Sequence, residues 1–328
     1  MSSHVAPASL AALQAPVRPG LERVERELRR IVEAEFELIR EVNSHLLRMQ
    51  GKLFRPTILL LADAATVPSP HATTLAAVIE LIHLATLVHD DSVDHSVLRR
   101  GMPTLNSLFS HQVSVIMGDY LYSRAVIELV RLDDLEPLRV LSRVTNEMTV
   151  GEMRQLLAHD PLAFSEPQYD LLIRAKTASL LSGAAEVGAL GAPAAQRDAL
   201  RRFGELLGMA FQIVDDLLDY TEEEAVMGKP TGSDLREHKV TLPLIAALPR
   251  MDERARRSVA RLLHEPDPPD PLIAEVIAAV ADAGGLEYAR GRAEALGERA
   301  DAELDALPES PGREALRASI SYVLERRR

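Results

Sequence analysis

Along this chain, apolar side chains recur at helical rather than strand spacing. The positions Leu21, Val24, Leu28, Ile31, Val32, Glu35 and Leu38 nearly all fall on i, i+3, i+4 steps, which predicts one amphipathic helix. Pro56 stands at the first helical position ahead of TILLLADAA, where its missing N–H leaves no bond unmade. Further helices are predicted over 71–94, 111–131, 135–158, 168–190, 195–220 and 240–249, with three more across 251–326. Asn-Gly and Asp-Gly turns are absent and few segments alternate apolar with polar, so strands have little support. Loops fall at 159–168, 221–239, 265–272 and 307–312, and none is long or simple enough to be an interdomain linker. The expected fold is all-α: a single-domain helical bundle over 21–328, preceded by a flexible tail, residues 1–20.

Composition narrows the chemistry. The 328 residues are 47% apolar, enough to bury a large core. With no Cys, disulfides, thiolate metal sites and Cys nucleophiles are excluded. A formal charge of -12 excludes a global nucleic-acid footprint but leaves room for a local basic pocket. The apolar stretch Thr73 to Val88 is broken by Glu80 and His83 and is shorter than the roughly 20 residues a bilayer requires. The first 20 residues have no basic region ahead of their short apolar run, so a secretory signal is not expected. A cytoplasmic protein without a membrane span is expected.

One motif occurs twice. Asp90-Asp91-Ser92-Val93-Asp94 and Asp215-Asp216-Leu217-Leu218-Asp219 lie 125 residues apart, each at the end of a long apolar helical run. Residues i and i+4 share a helix face, so Asp90 with Asp94 and Asp215 with Asp219 form two-carboxylate clamps. A single acidic helix end is ordinarily just solvated. Two such clusters ending LATLVHDDSVD and FQIVDDLLDY instead suggest Mg²⁺, which takes one or two carboxylates and completes its shell with phosphate oxygens. Lys52, Arg55, Arg99, Arg100, Lys176, Lys229 and Lys239, with Thr177 beside Lys176, are spread around these clusters. That set suits a substrate carrying several phosphate groups, held partly through metal and partly directly.

The segments QGKLFRP (50–56), IELIHLATLVHDDSVD (79–94), LRRGMPT (98–104), GDYL (118–121), GEMRQL (151–156), KTASL (176–180), FQIVDDLLDY (211–220) and GKPTGSDLREHKVTLP (228–243) resemble, in order, the trans-isoprenyl (polyprenyl) diphosphate synthases. The resemblance runs from about residue 20 to 250; the last 75 residues carry no motif. It implies a helical bundle around a central active-site cavity, in which Asp90, Asp91 and Asp94 bind Mg²⁺ on the allylic diphosphate. Asp215 and Asp219, with Asp216 close by, would bind a further Mg²⁺, giving three ions per site. Arg99, Lys176, Thr177, Gln212, Lys229 and Lys239 would contact the allylic diphosphate. Lys52, Arg55, His83 and Arg100 would hold isopentenyl diphosphate. The catalytic set would be Asp90, Asp91, Asp94, Asp215, Asp219, Arg99 and Lys176. His83 lies two helical turns before Asp90, on nearly the same face. Two departures from the family pattern stand out: Leu53-Phe54 where relatives often carry another cation, and His238 where Gly is frequent.

The reaction implied needs no side-chain nucleophile, only cations that stabilise a departing diphosphate and apolar walls that keep water from a carbocation. Three other readings compete. His89-Asp90 could mark an HD-type phosphohydrolase, but then the second DDxxD and the Lys229/Lys239 loop have no role. A terpene cyclase shares the helical fold but usually replaces the second DDxxD. A regulatory subunit of a heteromeric synthase usually loses aspartates, and here all six are present. The resemblance also implies a homodimer. Members that stop at short products commonly carry a bulky aromatic four or five residues before the first Asp; here these are Thr86 and Ala85, with Ile82 the next obstruction. A medium- or long-chain product is expected over farnesyl or geranylgeranyl diphosphate.

Overall fold

The computed structural model describes residues 9–49, 51–156, 161–221 and 231–326. Its architecture is helical, as expected, with a single two-stranded hairpin among the described residues, Leu98–Arg99 (β1) against Met102–Pro103 (β2). The chain begins with α1 (Leu10–Gln14) and α2 (Arg18–Val32), then α3 (Glu37–Arg48), α4 (Phe54–Ala65) and α5 (Ala72–Val93). After the hairpin come α6 (Leu105–Leu108), α7 (His111–Arg131), α8 (Leu135–Leu156), α9 (Glu166–Ile173), α10 (Ser179–Gly188) and α11 (Ala194–Thr221). The remainder is α12 (Ser233–Arg236), α13 (Leu242–Ala247), α14 (Glu253–His264), α15 (Asp270–Asp282), α16 (Gly285–Glu303) and α17 (Pro311–Leu324).

Local chemistry accounts for many of the boundaries. Ser110 and Asp252 cap α7 and α14 by accepting from Val113 N at 3.2 Å and Ala255 N at 2.7 Å. A reciprocal capping box links Ser165 and Gln168 at the start of α9.

Several boundaries depart from the sequence pattern. The helix expected through Leu38 breaks after Val32, and Glu35 and Leu38 are exposed. There the Asn43 side chain donates to the Val32 carbonyl at 2.6 Å, satisfying a helix end the periodicity had run through. The tail expected over 1–20 is helical from Leu10 onward. Leu13 and Val17 are buried in the core, and Gln14 Nε2 donates to the Lys52 carbonyl at 2.8 Å and to Thr57 Oγ1 at 3.1 Å. Residues 1–8 lie outside the described residues. Pro56 is third in its helix, because α4 starts at Phe54. Four helices, not three, cross 251–326.

The main core runs from Leu13 to Val323, so helices from both ends of the chain pack on it. The α5 helix packs along α7, and α11 lies between α10 and α16. Gly208 permits the close approach of α11, since a Cβ there would come within 2.5 Å of Ala178 Cα. By length and composition α5 could cross a membrane, but 67% of its most apolar window is buried inside the fold. A second cluster, including Leu235, Leu244, Val259, Leu262 and Val276, seats the segment after α11.

Candidate active site

Both aspartate clusters sit on the last turns of their helices, α5 and α11. In the first, Asp91 is buried and Arg99 grips it, with Nε 2.8 Å from Oδ1 and 2.9 Å from Oδ2. Among the described residues Asp90 has no such cationic grip. Burial pushes its carboxyl up to about 6, with Glu152 and Asp94 adding repulsion against the opposing pull of Lys176 and Arg99.

The second cluster is more heavily braced. Tyr169 Oη donates to Asp216 Oδ2 at 2.6 Å and Gln212 Nε2 to Oδ1 at 2.7 Å; Thr177 Oγ1 donates to Gln212 Oε1 at 2.8 Å. Both oxygens of Asp216 therefore accept hydrogen bonds that fix its orientation, and each keeps a lone pair for a cation. Burial and the nearby Asp234 carboxylate nonetheless hold its carboxyl well above the usual range. Asp219 accepts from the backbone N–H of Ser233 at 3.1 Å and of Asp234 at 3.0 Å, which ties α12 to α11. Asp215 pairs with Arg326, whose guanidinium lies 4.0 Å from the centre of the Phe211 ring.

Two of the expected lysines lie beside the first cluster. Lys239 Nζ lies 4.0 Å from Asp94 and 2.6 Å from Glu237, and its field also reaches Asp234. Lys176 contacts Glu152 at 2.7 Å and donates to Gln155 Oε1 at 3.2 Å. Lys176 and Thr177 lie in a π-helical turn, Arg174–Ala178, between α9 and α10. Such turns insert a residue and re-aim side chains, and they recur at functional sites.

A third group lies between the starts of α4 and the middle of α5. Arg55, Arg99 and Arg100 all repel a proton on His83, which burial and these charges hold neutral, well below its ordinary value. Burial also lowers Arg55 to about 10, opposed by the buried Glu80 carboxylate. Neither Arg55 Nε nor Glu80 Oε2 has a hydrogen-bond partner among the described residues. Arg100 donates to the Met49 carbonyl at 2.8 Å. Lys52 is exposed at the edge of this group, next to α4, and Lys229 lies outside the described residues. Ile82 and Ala85 are buried in the main core, while Thr86 is half-buried below Asp90 with its hydroxyl donating to the His83 carbonyl at 2.8 Å.

Glu80, Glu152, Tyr169, Asp234 and Arg326 were not among the expected site residues. Asp234 stands inside the quoted segment SDLREHK and could have been singled out there. Its carboxyl is pushed up to about 7 by burial and by Asp219, opposed by Lys239. Nothing in the local sequence marks Tyr169 or Arg326, because only folding brings them to the clusters.

The donor set fits a hard divalent cation. Asp90, Asp216 and Asp234 carry buried negative charge that the nearby Lys and Arg do not fully offset, as their raised carboxyls record. Among the described residues no three ligating side chains converge on one point, so each ion would take one or two carboxylates and the rest from water and phosphate.

The fold and these clusters define a class: an all-α protein with two acidic helix ends and a group of partly buried basic side chains. The polyprenyl synthetase pattern matches residues 36–280. Over 315 residues the chain is 39% identical to the all-trans-nonaprenyl-diphosphate synthase (geranyl-diphosphate specific) of Rhodobacter capsulatus, covering 95% of this chain and 96% of that one. It is 36% identical over 298 residues to the octaprenyl diphosphate synthase of Escherichia coli, covering 90% and 92%. Among solved structures it resembles a polyprenyl synthase from Caulobacter crescentus, complexed with calcium and isoprenyl diphosphate, at a TM-score of 0.93 and 33% identity, covering 99% and 100%. This chain belongs to the polyprenyl synthetase family.

Proposed function

We propose that this chain is a trans-prenyltransferase that condenses isopentenyl diphosphate head-to-tail with an allylic diphosphate. It repeats the step to a medium- or long-chain all-trans product, of the size used for respiratory-quinone side chains. The observation that carries the reading is Lys239, which lies 4.0 Å from Asp94 of the first cluster and also acts on Asp234, the residue whose backbone N–H is bonded to Asp219 of the second, while Lys176 acts on Asp90. A site of this kind grips one diphosphate from both sides.

When bound, Mg²⁺ offsets the charge that grows on the departing diphosphate. Asp90, Asp91, Asp94, Asp215, Asp216 and Asp219 would hold it, in three ions per site, with Asp91 oriented by Arg99 and Asp216 by Tyr169 and Gln212. Lys176, Lys239, Arg99 and Lys229 stabilise the same charge directly. Arg55, Arg100 and Lys52 bind the isopentenyl diphosphate. His83, held neutral, donates a hydrogen bond there without adding charge. The isopentenyl double bond attacks the allylic carbon as diphosphate leaves, and the proton lost afterwards passes to the departed diphosphate.

Small residues at Ala85 and Thr86, together with the nonaprenyl and octaprenyl names of the relatives, support a long product. The enzyme works as a homodimer in the cytoplasm. Ile116, Ile127 and Val130 on α7, with Val150, Met153 and Leu156 on α8, leave exposed apolar surface suited to a second copy. Incubation with isopentenyl diphosphate, an allylic primer and Mg²⁺, followed by chromatography of the products, tests the reading. Products longer than geranylgeranyl are expected. Diphosphate release without elongation would point to a hydrolase or cyclase, and no turnover to a regulatory subunit.

A further inference from the structure

The last turn of α5 is tied to α7 by a seam of polar contacts that none of the chemistry above requires. Ser92 Oγ and His111 Nδ1 are 2.7 Å apart, and Ser92 is fully buried. Beside them Ser114 Oγ donates to the Val88 carbonyl at 3.3 Å. His89 Nε2 lies 3.2 Å from the Val115 carbonyl and 3.3 Å from Asp119 Oδ1. The His89 ring fits there because residue 118 is Gly; a Cβ would come within 2.3 Å of Nε2. On the far side His95, the residue after the cluster, packs its ring 5.9 Å from that of His111.

Helical geometry shows what this seam controls. At about 100° per residue, Val88, Ser92 and His89 fall within roughly 100° of one another, on the α7 side. Asp90 and Asp94 fall on the opposite side of the same turn, and Asp91 points between, toward Arg99. Rotating the turn to relax the seam would therefore swing Asp90 and Asp94 by the same angle. The Ser92 hydroxyl is the one anchor of the seam that lies inside the aspartate motif itself, and it has no access to water. Its bond to His111 is thus the contact most directly coupled to the aim of the clamp.

We propose that Ser92 and His111 form a polar latch that sets the rotation of the last turn of α5, making His111 a positioning residue for the first aspartate cluster. Its kinetic consequence rests on the prenyl-transfer reading, whereas its effect on cation binding does not.

The test measures Mn²⁺ binding by electron paramagnetic resonance in the presence of inorganic diphosphate, alongside KM for each substrate. Ser92→Ala and His111→Ala should each raise the Mn²⁺ Kd and the allylic KM about 3- to 10-fold, the span expected for one hydrogen bond. The isopentenyl KM should stay within about 2-fold, and the double variant should be no worse than the poorer single one. His111→Asn, which offers a polar atom at a similar reach, should recover most of the loss. Unchanged Mn²⁺ binding in both single variants would overturn the latch, as would equal rises in both KM values. Absence of any prenyl product from the unmodified enzyme would instead overturn the functional reading and leave the Mn²⁺ result to judge the latch.

Discussion

Asp90 and Asp215 occupy equivalent places in their motifs but are held differently: Asp90 is half-buried with its carboxyl raised to about 6, and Asp215 is paired with Arg326. Both are required if the cations sit between the two helix ends. Asp90→Ala and Asp215→Ala should each lower turnover by orders of magnitude while the helical circular dichroism stays near that of the unmodified chain. Near-native turnover in either would end the two-cluster account. The two diphosphate positions separate at the same scale. Arg100→Ala should raise KM mainly for isopentenyl diphosphate and Lys176→Ala mainly for the allylic partner. Charge-assisted contacts are worth about 1.5–3 kcal/mol, or roughly 10- to 150-fold. Equal effects on both substrates would reverse the assignment.

At the scale of one helix, the face of α5 below Asp90 is expected to set product length. Residues i and i-4 share a face, so Thr86 lies directly under Asp90, whereas Ala85 is turned about 100° away and is 3% exposed within the core. One turn spans about 5.4 Å, close to one isoprene unit, so an aromatic ring at 86 removes roughly one addition or more. Thr86→Phe should therefore shorten the product with little change in melting temperature. Ala85→Phe should shorten it too, but overpacking a filled core costs about 1–3 kcal/mol, which thermal unfolding would register. An unchanged product distribution from both variants, by chromatography, would remove this face of α5 from the tunnel. On α11 and the π-helical turn beside it, Thr177, Gln212 and Asp216 form one hydrogen-bonded chain.

For the whole molecule, charge and stability are linked through the site. Asp90 and Asp234 are raised to about 6 and about 7 from an ordinary 3.8, so the folded protein holds these protons more tightly than the unfolded chain. Their destabilising contribution is absent below the ordinary value and fully developed once pH passes the folded values. The neutral His83 works the other way, costing stability below its ordinary 6.5, but one imidazole is outweighed by two raised carboxyls. The metal-free protein should therefore melt at lower temperature at pH 8 than at pH 5, and Mg²⁺ with inorganic diphosphate should raise Tm more at pH 8. Differential scanning fluorimetry checks both; a metal-free Tm that climbs steadily across this range would contradict the burial of uncompensated charge. The exposed faces of α7 and α8 predict a dimer by sedimentation at micromolar concentration. Ile116→Lys, at a residue 65% exposed in the single chain, should shift that equilibrium toward monomer.

Helix content, the two aspartate clusters and most of their cations could be read from the chain alone, because i, i+4 spacing is a local property that each helix carries with it. Local patterning could not show that Asn43 would stop α2 at Val32, nor that residues 10–20 would pack on the core, since both depend on partners distant in sequence. The same limit hid Tyr169 behind Asp216, Arg326 on Asp215 and His111 behind Ser92. The sequence by itself determined which side chains could bind diphosphate and cation. Tertiary packing decided how each carboxylate is oriented and how far its charge is offset, because burial, repulsion and hydrogen bonding arise only once α5, α7, α9, α11 and the C-terminal residues meet.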